Sequence, residues 1–103
     1  MKYTVLRTGI TERQLTEILR YMTQLTGDTQ SALNFLDDLD NARLQLEDFP
    51  ESGIRPRDYA IRRMGYRFLI VKNYYLFYKV NHAAKTMTIH AIVYAKADYK
   101  NFL

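Results

Sequence analysis

YRFLIVKNYYLFYKVN, residues 66–81, holds two runs of β-branched and aromatic residues, RFLIV and YYLFYKV, around the polar pair Lys72-Asn73. Such runs favour extended backbone, and Asn tolerates the positive φ that a tight two-residue turn demands. The stretch therefore reads as a β-hairpin, expected at the centre of a sheet. Pairing across the turn sets Val71 opposite Tyr74, Ile70 opposite Tyr75, Leu69 opposite Leu76 and Phe68 opposite Phe77. Both faces of this ribbon are then largely apolar, so each needs a cover. One cover can be this chain's own helices, and the expectation for the other is a partner protein.

Downstream, Thr86–Lys96 (TMTIHAIVYAK) alternates. Met87, Ile89, Ala91, Val93 and Ala95 are expected on one face; Thr86, Thr88, His90, Ile92, Tyr94 and Lys96 on the other. The tail ADYKNFL carries Tyr99, Phe102 and Leu103 to tie it down. Upstream, Tyr59–Met64 and Gly65 lead into the hairpin from a Pro/Gly-punctuated loop, Pro50–Pro56.

The N-terminal half has helical periods. Tyr3–Thr8 is a short β-prone run closed by Gly9. Thr11 and Gln14 have capping-box spacing, and Leu15, Ile18, Leu19, Met22 and Leu25 give one apolar stripe, so a helix is expected from Thr11 to Leu25. Gly27 ends it and Asp28 or Thr29 caps a second helix, whose stripe is Ala32, Phe35, Leu36, Leu39, Ala42, Leu46 and Phe49. Pro50 stops that helix. The short connection favours an antiparallel helical hairpin able to cover one sheet face. The expected fold is a single α+β domain over residues 1–103: an N-terminal strand, then a helical hairpin packed on a mainly antiparallel sheet, in the order β-α-α-β-β-β.

At 103 residues the chain buries roughly 65% of its unfolded surface without a staple. It has no cysteine, hence no disulfide or thiolate ligand, and no apolar run long enough for a membrane span. MKYTVLRTG lacks a signal peptide's apolar core, so the expected compartment is the cytoplasm. Residues 1–54 hold five Lys/Arg against nine Asp/Glu, while residues 55–103 hold ten against two. The basic half suits nucleic acid, an acidic protein, or solvent alone.

The order of elements, the Pro50-x-x-Gly53 loop, Gly65–Tyr74 (GYRFLIVKNY) followed by Leu76–Val80, and Tyr94–Tyr99 (YAKADY) together resemble the RelE/ParE toxin superfamily. The resemblance spans nearly the whole chain and is closest to the ParE-like plasmid-stabilisation toxins of type II toxin-antitoxin pairs. It implies a cognate antitoxin as partner and a toxin that inhibits growth. RelE-like members cut ribosome-bound messenger RNA without metal, using cations to stabilise a charged phosphorane; ParE-like members poison DNA gyrase. The ribonuclease branch typically reads Y-R-L-V-Y in the hairpin, whereas this chain reads Tyr74-Tyr75-Leu76-Phe77-Tyr78. A neutral phenol at Tyr75 supplies no fixed cation beside a phosphate. Tyr66 and Phe68 stand where that branch carries basic residues, and Lys96-Ala97 replaces an expected Arg. The resemblance thus favours a toxin that binds a target protein, with DNA gyrase the candidate, over a messenger-RNA endonuclease acting on the ribosome.

The alternative chemistry has identifiable candidates. His90 would be general base, its unperturbed pKa lying near neutrality, and Lys96 would bind phosphate, with Tyr99 and Arg67 or Lys79 nearby. The competing reading makes His90 and Tyr94 the exposed half of an alternating strand. His82 and His90 lack metal-ligand spacing, Ser31 and Ser52 sit in no nucleophile motif, and the four glycines are isolated, so neither metal nor cofactor is expected. Arg55, Arg57, Arg62, Arg63 and Arg67 form the densest cationic cluster, suited to RNA phosphate or an acidic protein segment. Ten of the fourteen Tyr and Phe residues lie from Tyr59 onward, and aromatics anchor protein interfaces. The expected antitoxin surface is Phe68, Tyr75 and Phe77 ringed by Arg62, Arg63 and Arg67.

Overall fold

The computed structural model describes residues 2–103. In chain order it forms β1 (Thr4–Arg7), α1 (Gly9–Arg20) continuing as a π-helical turn over Tyr21–Leu25, α2 (Thr29–Asp48), a short α3 (Tyr59–Arg63), β2 (Arg67–Val71), β3 (Tyr74–Asn81) and β4 (Thr86–Tyr94); a 3-10 turn at Tyr99–Phe102 ends it. The four strands make one sheet in the order β1-β4-β3-β2, with β1 parallel to β4 and the other pairs antiparallel.

The hairpin has the register expected of it, Val71 to Tyr74 through Phe68 to Phe77, and continues to Arg67 opposite Tyr78. Its position and turn differ from expectation. β2 lies at the edge and β3 and β4 are central, because β1 adds to β4 and leaves β2 with only an isolated bridge from Ile54 to Phe68. The left-handed turn residue is Lys72, at φ 55°, rather than Asn73. The Asn73 carbonyl instead accepts the Ala95 N–H at 2.8 Å, and the Lys72 ammonium reaches Asp38 at 3.3 Å.

α1 starts earlier than the apolar stripe suggests. Thr8 is its N-cap, accepting the Thr11 N–H at 3.1 Å, and Thr11 and Gln14 form no capping box. These two side chains complete the β4 edge where β1 stops. Thr11 Oγ1 donates to the Ile89 carbonyl at 2.9 Å, and Gln14 Oε1 accepts the Ile92 N–H at 2.8 Å. A fully buried Thr11 is stable because its hydroxyl is satisfied there. Gly27, at φ 68°, ends the helical run, and Asp28 caps α2 by accepting the Ser31 N–H. On α2 the buried residues are Ala32, Phe35, Ala42 and Leu46, whereas Leu36 is 40% and Phe49 66% exposed. The contact face of α2 is therefore narrower than its apolar stripe.

β4 carries the largest departure. The β3–β4 register shifts at Phe77/Tyr78, so that Phe77 pairs with Ala91 and Tyr78 with Ile89, leaving His90 as the extra residue of a β-bulge. The bulge exchanges the faces of the strand. Met87, Ile89 and Ile92 pack with α1 and α2 against Leu69, Leu76 and Tyr78, while Ala91 and Val93 join the opposite face. The expectation of one continuous alternation through Ala95 fails at this single residue.

The opposite face is covered by the chain itself. Phe77, Ala91 and Val93 are buried with Ile61 of α3 and Tyr66, and Tyr99 and Leu103 of the tail pack against them. Lys100 ties the tail to α3 through Asp58 at 3.1 Å, and Asp58 also caps α3 by accepting the Ile61 N–H. That backbone bond, followed by the Lys100 contact, holds the Asp58 carboxyl below its ordinary pKa.

Candidate interaction surface and the proposed catalytic residues

The second face is an aromatic cluster. The Phe68 ring lies 4.6 Å from Tyr75 and 5.4 Å from Phe77, and Tyr99 lies 5.0 Å from Phe77, measured between centroids. Phe77 is fully buried, whereas Phe68 and Tyr75 are half-buried. The expectation that a partner touches Phe77 is corrected here: Tyr66, Tyr99 and Ile61 already exclude solvent from it. What the cluster presents outward is Phe68 and Tyr75, with Ile70 beside them at 60% exposure, because β2 alternation puts Phe68 and Ile70 on the face away from Leu69 and Val71.

The cations do not act as one ring. Arg63 is exposed on α3 and donates to the Tyr59 hydroxyl at 3.1 Å, and the Arg62 guanidinium lies 5.9 Å from the Tyr59 ring centroid. Arg67 is set apart from Phe68 by strand alternation. It pairs with Tyr78, whose ring belongs to the helix-facing core, and its Nη1 donates to the Gly53 carbonyl at 3.1 Å.

The residues that a metal-free ribonuclease would need are divided between the faces. His90 lies edge-on to Tyr66 at 5.5 Å, and the Lys79 ammonium sits 4.6 Å from the other partner of that contact, the Tyr66 ring centroid. Burial, and next the Lys79 charge, push the His90 pKa below its ordinary value and so favour the neutral imidazole. Tyr94 instead contacts Tyr74, which packs on the helix-facing core. Lys96 is exposed in the turn after β4, and Tyr99 is committed to the cluster over Phe77. His90 and Tyr99 thus both border the second face, through Tyr66 and Phe77, whereas Arg67 and Tyr94 belong to the helix-facing side, and the expected shared face of His90, Tyr94 and Lys96 is undone by the bulge. Among the described residues no group of three His, Asp or Glu could hold a metal, and no helix is long and apolar enough to cross a membrane.

A family model described as the ParE toxin of the type II toxin-antitoxin system parDE matches residues 6–99. The chain belongs to the ParE toxin family. As a ParE-family toxin it shares its fold with chains of two solved toxin-antitoxin structures. It superposes on a chain of the chromosomal ParDE toxin-antitoxin system from P. aeruginosa with a TM-score of 0.67 at 17% identity, covering 92% of this chain and 98% of that one. A chain of the RelBE2 toxin-antitoxin complex from Mycobacterium tuberculosis gives 0.61 at 17% identity, covering 91% and 99%. At such identities the likeness is one of fold. No curated protein sequence matches the chain.

The ParE-family chain also holds an arrangement that sequence reading missed. The Tyr3 hydroxyl lies 2.6 Å from His82 Nδ1, and His82 Nε2 lies 2.7 Å from Glu51 Oε1, joining residues 79 and 31 positions apart. No local spacing links them; the β1–β4 and β3–β4 pairings bring Tyr3 to His82, and the loop after α2 carries Glu51 to the same place.

Proposed function

We propose that this ParE-family toxin acts by binding a protein target, with DNA gyrase as the target that its family branch suggests, and that a cognate antitoxin silences it. The observation that carries this reading is the bulge at His90, which sets the imidazole best suited to base catalysis apart from Tyr94 and Arg67. The expected cation beside a phosphate is replaced by Tyr75, packed into an aromatic cluster. Gyrase supercoiling with increasing purified toxin is the direct test. Inhibition that persists in His90→Ala supports the reading; cleavage of ribosome-bound messenger RNA without any effect on gyrase refutes it.

The antitoxin reading is supported by the two structural neighbours, each from a toxin-antitoxin system. Its docking surface on this chain is assigned to Phe68, Tyr75 and exposed Ile70, with Arg62 and Arg63 beyond them. Apolar groups would supply most of the affinity and the cations would mainly raise the association rate. Charge reversal at Arg63 should then slow association and change its salt dependence while leaving dissociation nearly unchanged.

A further inference from the structure

We propose that a cleft at the open end of the β2–β3 pair, walled by Arg55, Arg62, Arg67 and His82, binds a phosphate ester group. The inference does not depend on the identity of the toxin's protein target. Four separate segments converge there: the loop after α2, α3, the start of β2 and the β3–β4 turn. Together they enclose about 210 Å³.

The electrostatics of the cleft are unbalanced. Arg7, Arg20, Arg43, Lys72 and Lys100 each face a carboxylate. Among the described residues, Arg55 and Arg62 face none. Glu51 also lines the cleft, but its carboxylate is engaged by His82 Nε2 at 2.7 Å and not by a guanidinium. Arg67 is held in place by its bond to the Gly53 carbonyl, which leaves its other N–H donors available to a ligand. The His82 ring is fixed from its far side by Tyr3. Lys79, over Tyr66 in the cleft wall, adds to the field. Like charges gathered in a concavity concentrate an anion there.

Geometry favours a phosphate over a side-chain carboxylate. A carboxylate has two oxygens in one plane, which a single guanidinium fork satisfies. A phosphate ester has oxygens in several directions, which guanidinium groups carried on three different segments can approach from more than one side. Its source is either a free phosphorylated small molecule or the backbone of a nucleic acid.

The test is side-chain NMR of the arginine Nε–H groups in the full chain, titrated at constant ionic strength with pyrophosphate, a single-stranded oligonucleotide, or a polyglutamate peptide. We expect saturable shifts of Arg55, Arg62 and Arg67 with pyrophosphate. Arg55→Gln combined with Arg62→Gln should weaken binding about tenfold or more, while Arg13→Gln combined with Arg57→Gln, both exposed and outside the cleft, should change it by less than about twofold. Neither the Arg55 nor the Arg62 side chain makes a hydrogen bond or ion pair among the described residues, and Gln keeps the backbone bonds of Arg62, so the melting temperature of the first pair should match wild type. Tighter binding of the oligonucleotide assigns the site to nucleic-acid backbone, and tighter binding of pyrophosphate assigns it to a small phosphorylated molecule. Uniform, unsaturable shifts of all arginines, or tighter binding of polyglutamate than of both phosphate probes, would overturn the proposal. Should the double variant melt early, the wild-type titration decides alone.

Discussion

Tyr78 and Gly53 show how one close approach locks the loop onto the sheet. The Gly53 N–H donates to the Tyr78 hydroxyl at 2.8 Å, and a Cβ at Gly53 would come within 2.5 Å of that oxygen. Both residues are buried. Tyr78→Phe keeps the ring but leaves a buried N–H unsatisfied, so it should cost about 1–3 kcal/mol in urea unfolding. An unchanged midpoint would show that water replaces the hydroxyl. His90 offers a second test at this scale. Its folded pKa lies below the ordinary 6.5, so as pH falls through 6.5 the unfolded chain takes up a proton that the folded chain refuses. Stability contributed by the neutral imidazole is thus present above that pH and declines below it, levelling off under the folded pKa. His90→Phe keeps an edge contact with Tyr66 and should flatten the stability profile as pH falls below 6.5. Equal slopes for the two proteins would contradict the burial of His90. Neither role was legible in sequence, because a bulge depends on the register of two strands rather than on the composition of one.

Elements were more legible than the contacts between them. The hairpin register could be read because a two-residue turn fixes it and the apolar runs are long on both sides. α2 was placed within a residue of its ends by Asp28, Gly27 and Pro50. Its buried face was misjudged at Leu36 and Phe49, since periodicity reports which residues are apolar and not how wide the neighbour is. Leu36 lines an open groove between the helices with Leu39, Leu15 and Ile92. Phe35→Ala should therefore cost about 3–5 kcal/mol, and Leu36→Ala about 1 kcal/mol or less, in place of the 2–5 kcal/mol expected for a buried Leu. Comparable losses at both positions would mean that the groove is closed in solution. The second face was misread for a related reason. Short α3 and the 3-10 tail carry too few residues for a periodic signal, yet Ile61, Tyr99 and Leu103 are what cover Phe77.

Across the whole molecule, the acidic first half supplies the helical layer and the basic second half supplies most of the sheet, α3 and the tail. In the proposed docking surface, Arg62 and Arg63 of α3 would steer a partner by charge while Phe68, Ile70 and Tyr75 would hold it. The membership in the ParE toxin family was legible in the joint order of motifs, but the target was not, because fold and target are separable. The central claim is that toxicity arises from binding a protein rather than from cutting RNA. It is tested most directly by brief induction of the chain in cells lacking an antitoxin, with messenger-RNA 5′ ends mapped alongside DNA-damage signalling. The account predicts a rise in DNA-damage signalling with no new 5′ ends inside translated messages; new ends in those messages with unchanged DNA-damage signalling would contradict it.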